Sequence, residues 1–346
     1  MKTEAALLVE TGKPLVVESI SIPPLQSGQV LVEIAFSGAC GTQLMEIAGA
    51  KGEDKWCPHC LGHEGTGTVI DTGSEVTKVK PGDKVVLSWI RGTGMEAGGS
   101  VYDWNGKKVN SGGVTTFQRH AVVSENRLTI VPDGLALDVA VLLGCAAPTG
   151  MGAVLNVLNV KAGNSVVVYG NGGIGLNAIM ASALVGGGPV IGVDLNPSRR
   201  ELARAFGATH VIDPAAGQTP AQIKAIAPQG IDVAVEATGN PAVMAEAIAI
   251  TRPRGGRAVV IGNARHDAVL TVNPSVFNEG KSLLGTWGGD SIPDRDYVNY
   301  GRILSSNRFP VRQLLSAPYR LEDINQALDD LRTGKIARPL IDMSKA

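Results

Sequence analysis

Two sets of residues in this chain have types and spacing suited to chemistry. The first is Gly170-Asn171-Gly172-Gly173-Ile174-Gly175, which fits G-x-G-x-x-G, with Asp194 about 20 residues further on. In such a turn the first glycine permits the tight bend and the second lets backbone approach a pyrophosphate. The third allows a helix to pack closely on a strand. The unpaired N–H groups and dipole at the helix start favour phosphate. Asp194 would accept hydrogen bonds from the adenosine ribose and repel a 2′-phosphate, which predicts NAD rather than NADP. Arg199 and Arg200 either flank the adenosine phosphate or form a solvated helix face. The second set is sulfur and imidazole. Cys40, His63 and Cys145 supply two thiolates and an imidazole, donors zinc prefers, and three protein ligands leave a fourth position for water or substrate. They are too far apart for spacing to identify a site, and a free cysteine is often simply a small buried hydrophobe.

The elements that must position these residues fall into two patterns. From Ser165 the chain alternates strand and helix. The β-branched run Val166–Tyr169 reads as a strand buried on both faces, followed by the glycine turn and a helix over 174–185. Strands over 189–194, 211–213, 231–237 and 257–261 alternate with helices over 198–206, 221–227 and 242–250. This predicts an α/β domain with a parallel sheet and right-handed crossovers. Before residue 145, short β-rich pieces (30–36, 65–72, 83–87, 116–123) broken by glycine and proline predict a barrel-like domain. The carboxyl end is mixed, with an amphipathic helix over 322–332. The boundaries predict a β-rich domain of residues 1–146 and 289–346 around a nucleotide-binding domain of residues 147–288.

Composition excludes other classes. The 346 residues suit two domains, and 44% hydrophobic with 18% charged residues exclude a disordered or fibrous chain. Lysine plus arginine (31) balances aspartate plus glutamate (32), so there is no electrostatic footprint for nucleic acid or an anionic membrane. The amino terminus has only a short apolar stretch, Ala5 to Val9, which predicts an unexported, cytoplasmic protein with reduced thiols. Two uncharged runs, 139–160 and 162–193, are long enough to span a membrane. Pro148, Asn156, Asn159 and the glycine clusters divide them into strand and helix pieces instead.

Gly38-Ala39-Cys40-Gly41-Thr42, Gly62-His63-Glu64-Gly65-Thr66-Gly67, Lys80-Pro81-Gly82-Asp83-Lys84-Val85 and Leu143-Gly144-Cys145 occur in the order seen in medium-chain zinc-dependent alcohol dehydrogenases. The glycine turn and Val193-Asp194 follow at matching spacing, and the resemblance runs through Arg338-Pro339-Leu340. It implies a GroES-like β-rich catalytic domain plus a Rossmann domain, with the active site in the cleft between them. It also implies one catalytic zinc on Cys40, His63 and Cys145, with the Glu64 carboxylate beside the metal or occasionally on it. Thr42 corresponds to the hydroxyl that takes the alcohol proton, and Trp89 to a wall of the substrate pocket. Thr149 and Ile174 fall beside the nicotinamide, and Arg338 near the pyrophosphate. The implied activity is hydride exchange between an alcohol, or its aldehyde or ketone, and NAD(H). Polyol, sugar or amino-alcohol oxidation with the same zinc is the nearest alternative, and a nucleotide-binding protein without turnover a more distant one. Relatives pair through an edge strand corresponding to 273–286, which implies a homodimer or a tetramer of dimers.

The chain also departs from that family. The segment 91–113, where many members hold a structural zinc on four cysteines, has none, so one zinc per chain is expected. Cys57-Pro58-His59-Cys60 has a ligand-like C-x-x-C spacing but no second pair, and its thiols are expected to be bystanders. Gln43 replaces an aspartate that supports the zinc-bound histidine, and Met45 a histidine that passes the proton to solvent. Gly41 replaces a basic pyrophosphate contact.

Overall fold

Alternation of exposed and buried positions begins at Lys2, with Lys2 and Glu4 exposed and Thr3 and Ala5 buried. In this computed structural model, which describes residues 1–345, that stretch is a strand. The contacts divide the chain into two units, residues 1–145 with 292–307 and 314–345, and residues 146–291 with 308–313.

In the first unit the chain forms β1 (Lys2–Leu8), β2 (Val16–Ser21), β3 (Gln29–Gly38), helix α1 (Gly41–Ile47), β4 (His59–Cys60), β5 (Glu64–Thr72) and β6 (Lys84–Ser88). It continues through β7 (Val101–Trp104), β8 (Lys107–Asn110), β9 (His120–Ser124), β10 (Leu128–Ile130) and the short helix α2 (Leu137–Ala140). Strands β1-β2-β7-β8-β4 close into a barrel. A second sheet runs β10-β6-β5-β3 to the strand Leu340–Asp342, with β9 also on β3. Val30, Val32, Ile34, Leu87 and Phe117 form the main core, capped by Ile324 and Leu328 of the helix Ile324–Arg332. A satellite core holds Ala5, Leu7, Ile20, Cys60, Tyr102 and Val109. The expected strand at 116–123 starts only at His120, because the Thr116 and Phe117 N–H groups both bond the Leu61 carbonyl at 3.0 Å.

The cysteine-free segment 91–113 is not all loop. Val101–Asn110 is a hairpin turning on Asn105-Gly106, both at positive φ (51° and 85°), as a two-residue turn demands. Carboxylates brace the rest. Glu125 accepts from the N–H of Thr77 (2.6 Å), Lys78 (2.7 Å) and Met95 (2.6 Å), which holds its carboxyl below the usual range against the effect of burial. Asp294 accepts from Thr93 N–H at 2.6 Å and pairs with Lys78 at 2.5 Å.

The second unit opens with α3 (Ala146–Gly152) and then alternates: β11 (Val166–Tyr169), α4 (Gly173–Leu184), β12 (Val190–Val193), α5 (Pro197–Ala205), β13 (His210–Ile212), α6 (Thr219–Ile226), β14 (Val233–Glu236), α7 (Pro241–Ala249), β15 (Arg257–Val260), α8 (Ser275–Asn278) and β16 (Ser282–Leu284). All strands are parallel in the order β13-β12-β11-β14-β15-β16, so the direction of winding reverses between β11 and β14. Ligands bind open α/β sheets at that switch, beyond the carboxyl ends of the strands. Asn196 and Asn240 start α5 and α7 alike: each side chain caps the second N–H beyond it, and a proline follows at the first helical position. The uncharged run 162–193 is β11, α4 and β12, and 139–160 is a broken series of short helices. Among the described residues no single helix is long and apolar enough to cross a membrane.

Candidate metal and dinucleotide sites

Three separate elements deliver the sulfur and imidazole donors. Cys40 ends the turn after β3 and caps α1, its Sγ accepting the Thr42 N–H at 3.4 Å. His63 lies in the link between β4 and β5, and Glu64 is the first residue of β5. Cys145 follows a 3₁₀ turn, Val141–Gly144, pinned by the Ser88 hydroxyl donating to Gly144 O at 2.8 Å. The ligand atoms of Cys40, His63 and Cys145 all lie within 4.8 Å of one another, and Cys40 Sγ is 3.5 Å from His63 Nε2. Both cysteines are buried.

The electrostatics suit a cation. A hydrogen bond from Cys145, with help from His63 and Arg338, holds the Cys40 thiol well below its ordinary range. The same contact, added to burial, pushes the Cys145 thiol up, so the two sulfurs compete for one proton. Burial would lower His63, but the Cys40 charge and hydrogen bond raise it. A divalent ion removes this conflict by replacing the proton and binding both sulfurs. Glu64 is fully buried behind the triad, its carboxyl raised by burial and opposed by Arg338. Arg338, only 2% exposed, pairs with Glu64 Oε2 at 3.1 Å and donates to Ala39 O at 3.3 Å.

Gln43 is buried on α1 and joins two donors of the triad. Its oxygen accepts the Cys40 N–H at 3.0 Å, so its amide nitrogen, not its oxygen, faces His63 Nδ1. Thr42 and Met45 are half-buried on the same helix. The Trp89 ring stands edge-on to His63, centroids 6.5 Å apart.

In the second unit the glycine turn behaves as three distinct positions. Gly170 has φ 86°, a Cβ on Gly172 would meet nothing within 4 Å, and a Cβ on Gly175 would lie 1.8 Å from Gly170 O. Gly173 opens α4 and Ile174, half-buried, follows it. Asp194, expected as the last residue of β12, directly follows the strand's end at Val193, its carboxylate accepting the N–H groups of Asn171 (2.7 Å) and Asn196 (2.8 Å). Each oxygen keeps a further lone pair. Arg200 is a brace, bonding Asp194 O at 2.7 Å and pairing with Asp213 at 2.9 Å. Arg199 is half-buried beside it on α5. Thr149 lies on α3, which packs on α4, and its buried hydroxyl has no hydrogen-bond partner. Sequence reasoning missed Glu236 and Thr238 at the carboxyl end of β14, across the switch from Gly170. Glu236 is fully buried, accepts the N–H groups of Thr238 (2.6 Å) and Gly239 (3.0 Å), and is raised by burial. The available signal was an acid closing an apolar strand before Thr-Gly.

A β-rich unit with a buried thiolate–imidazole cluster and a Rossmann unit with an open glycine turn are the two halves of a metal-dependent dehydrogenase. Residues 26–133 match the model for the alcohol dehydrogenase GroES-like domain, and residues 173–305 that for the zinc-binding dehydrogenase family. The chain is 33% identical to an S-(hydroxymethyl)glutathione dehydrogenase of Synechocystis sp., over 99% of this chain and 100% of that one. It is also 33% identical to a geraniol dehydrogenase of Castellaniella defragrans, over 99% of this chain and 98% of that one. Among solved structures, benzyl alcohol dehydrogenase from Acinetobacter calcoaceticus superposes with a TM-score of 0.90 at 29% identity, covering 99% of each chain. The chain belongs to the medium-chain zinc-dependent alcohol dehydrogenase family.

Proposed function

We propose that this chain oxidises an alcohol, or reduces the matching aldehyde or ketone, with zinc on Cys40, His63 and Cys145 and with NAD as hydride partner. The convergence of those three donor atoms within 4.8 Å carries the reading. When bound, zinc supplies a Lewis acid that makes the alcohol oxygen more acidic, and the nicotinamide takes the hydride. The protein's residues do the rest. Thr42 accepts the hydrogen bond from the alcohol, while Met45 offers no proton acceptor, so the proton leaves through Thr42, the cofactor ribose or water. Trp89 forms one wall beside the imidazole of His63. Glu64 presents a carboxylate charge behind the metal, held by Arg338, whose guanidinium is buried against Glu64 and the Ala39 carbonyl in the first unit. Gly172 leaves room for the cofactor pyrophosphate, Thr149 offers its hydroxyl beside the nicotinamide with Ile174, and Arg199 flanks the adenosine phosphate.

The test is a panel of primary and secondary alcohols and polyols with NAD or NADP, read by absorbance of the reduced nicotinamide. NAD should be favoured at least about a hundredfold in kcat/KM, since a carboxylate set against a 2′-phosphate costs several kcal/mol. Asp194→Asn should narrow that ratio while keeping an acceptor for the Asn171 N–H. An unaltered enzyme that prefers NADP would overturn the assignment of Asp194, and no turnover across the panel would overturn the activity.

The assembly proposed is a homodimer, or a tetramer of such dimers, joined through β16. This strand is the edge of its sheet. Val276 and the half-buried Leu283 complete the unit's own core, whereas Phe277 is 50% exposed and Leu284 half-buried. A two-fold partner would cover the open edge with identical backbone groups. Light scattering should give at least twice 35.8 kDa, and a clean monomer mass would refute the contact. A site dependent on reduced Cys40 and Cys145 also favours the cytoplasm.

A further inference from the structure

Away from the triad, Asp54, Cys57 and His59 bring three ligand atoms within 4.8 Å of one another, all half-buried, in the first unit. We propose that these residues form a second zinc site, which fastens the segment between α1 and β4 to the barrel.

His59 is the anchored member. It lies in β4, registered against Leu8 of β1 and Asn110 of β8. Its Nδ1 is 3.0 Å from Cys60 O and its Nε2 is 2.8 Å from Asp54 Oδ2. Both ring nitrogens therefore face oxygen acceptors, yet a neutral imidazole has one N–H. With one N–H on the Cys60 carbonyl, Nε2 meets the carboxylate, and either a second ring proton or a metal cation satisfies that pair. A main-chain carbonyl on the far nitrogen is also how metal-bound histidines are commonly oriented. Asp54 is preset by the Trp56 N–H, which bonds Oδ1 at 3.0 Å and leaves Oδ2 toward His59.

The donor set selects the metal. Thiolate, imidazole and carboxylate are zinc's three side-chain ligand types, and the sulfur excludes magnesium and calcium as natural occupants. Tetrahedral zinc holds its ligand atoms roughly 3.5 Å apart. The His59–Asp54 separation is 2.8 Å and no pair in the set exceeds 4.8 Å, so small side-chain rotations reach that spacing. Of the two thiols expected to be bystanders, Cys57 and Cys60, only Cys60 keeps that role. Successive strand residues face opposite sides, and Cys60 points into the satellite core with Leu7, Tyr102 and Val109, where burial pushes its thiol up to about 12. Asp54 and His59 also line a cavity of about 610 Å³ shared with Lys51, Trp56 and Asn110, so a fourth ligand can enter from that side.

The experiment equilibrates reduced, full-length protein with Zn²⁺, removes loose metal with a weak chelator and counts zinc by elemental analysis. Two zinc per chain are expected. Cys57→Ser and His59→Gln should each leave one, with alcohol oxidation unchanged. A Cys40→Ser, Cys145→Ser double variant loaded with Co²⁺ should still show thiolate-to-cobalt charge-transfer absorbance, and adding Cys57→Ser should abolish it. That readout does not depend on turnover, so it fails or succeeds separately from the proposed activity. Should either single variant misfold, Asp54→Asn, which preserves a hydrogen bond to His59, should weaken the second zinc at least about tenfold. One zinc in the unaltered protein, or a second zinc that survives Cys57→Ser, His59→Gln and Asp54→Asn, would overturn the site.

Discussion

Replacing Cys40 by serine will empty the catalytic triad of zinc and lower kcat/KM for alcohol oxidation at least about a thousandfold. Lewis-acid assistance supplies several kcal/mol of transition-state stabilisation, and each 1.4 kcal/mol is about tenfold in rate. The substitution is mild on the fold. Cys40 already caps α1 through its side chain, and a serine hydroxyl is a better cap than a thiol. Binding of NADH, followed by its fluorescence, should therefore persist, because the glycine turn and Asp194 lie in the other unit. Elemental analysis and kinetics on the same sample decide the matter. Full activity after confirmed zinc loss would remove the metal from the reaction.

The second large effect separates packing from ligand space within one turn. Gly175→Ala places a Cβ 1.8 Å from the Gly170 carbonyl oxygen, so α4 must move away from β11. Overpacking of this kind costs about 1–3 kcal/mol, which should lower Tm by several degrees and abolish NADH binding. Gly172→Ala meets nothing within 4 Å, and its backbone, at φ −78°, suits any residue. Tm should hold while NADH affinity falls at least about tenfold, because the new methyl occupies the space a pyrophosphate would use. Unchanged NADH binding in both variants would show that the dinucleotide binds elsewhere.

The second unit was readable in the sequence because its strands are buried on both faces. Val166–Tyr169 is a continuous apolar run bounded by turn residues, and the same signal recurs at Val190–Val193 and Val233–Glu236. The first unit hid more. β1 is built from lysine, threonine, glutamate, alanine and leucine, and its order comes from pairing with β2 and β4 rather than from propensity. α1 is capped by a cysteine, which no capping rule anticipates. Asn105-Gly106 carries a two-residue hairpin signal inside the cysteine-free segment. The triad was visible only through family resemblance, because Cys40, His63 and Cys145 come from three unconnected turns. The Asp54, Cys57, His59 cluster depends on a strand only two residues long, which sends His59 and Cys60 to opposite faces.

Arg338 bonds the Ala39 carbonyl 299 residues earlier in the chain, and it neutralises Glu64 beside the triad. During synthesis at roughly 5–20 residues per second, these partners emerge on the order of 15–60 s apart. Residues 146–291 and 308–313, by contrast, all leave the ribosome within that interval, before Arg338. The nucleotide-binding unit is thus free to assemble while Cys40 and His63 wait in an unfinished barrel with an unneutralised acid behind them. Loading of the catalytic metal is expected to be among the last events in the maturation of each chain, and cellular zinc handling would have to protect two open thiols until then.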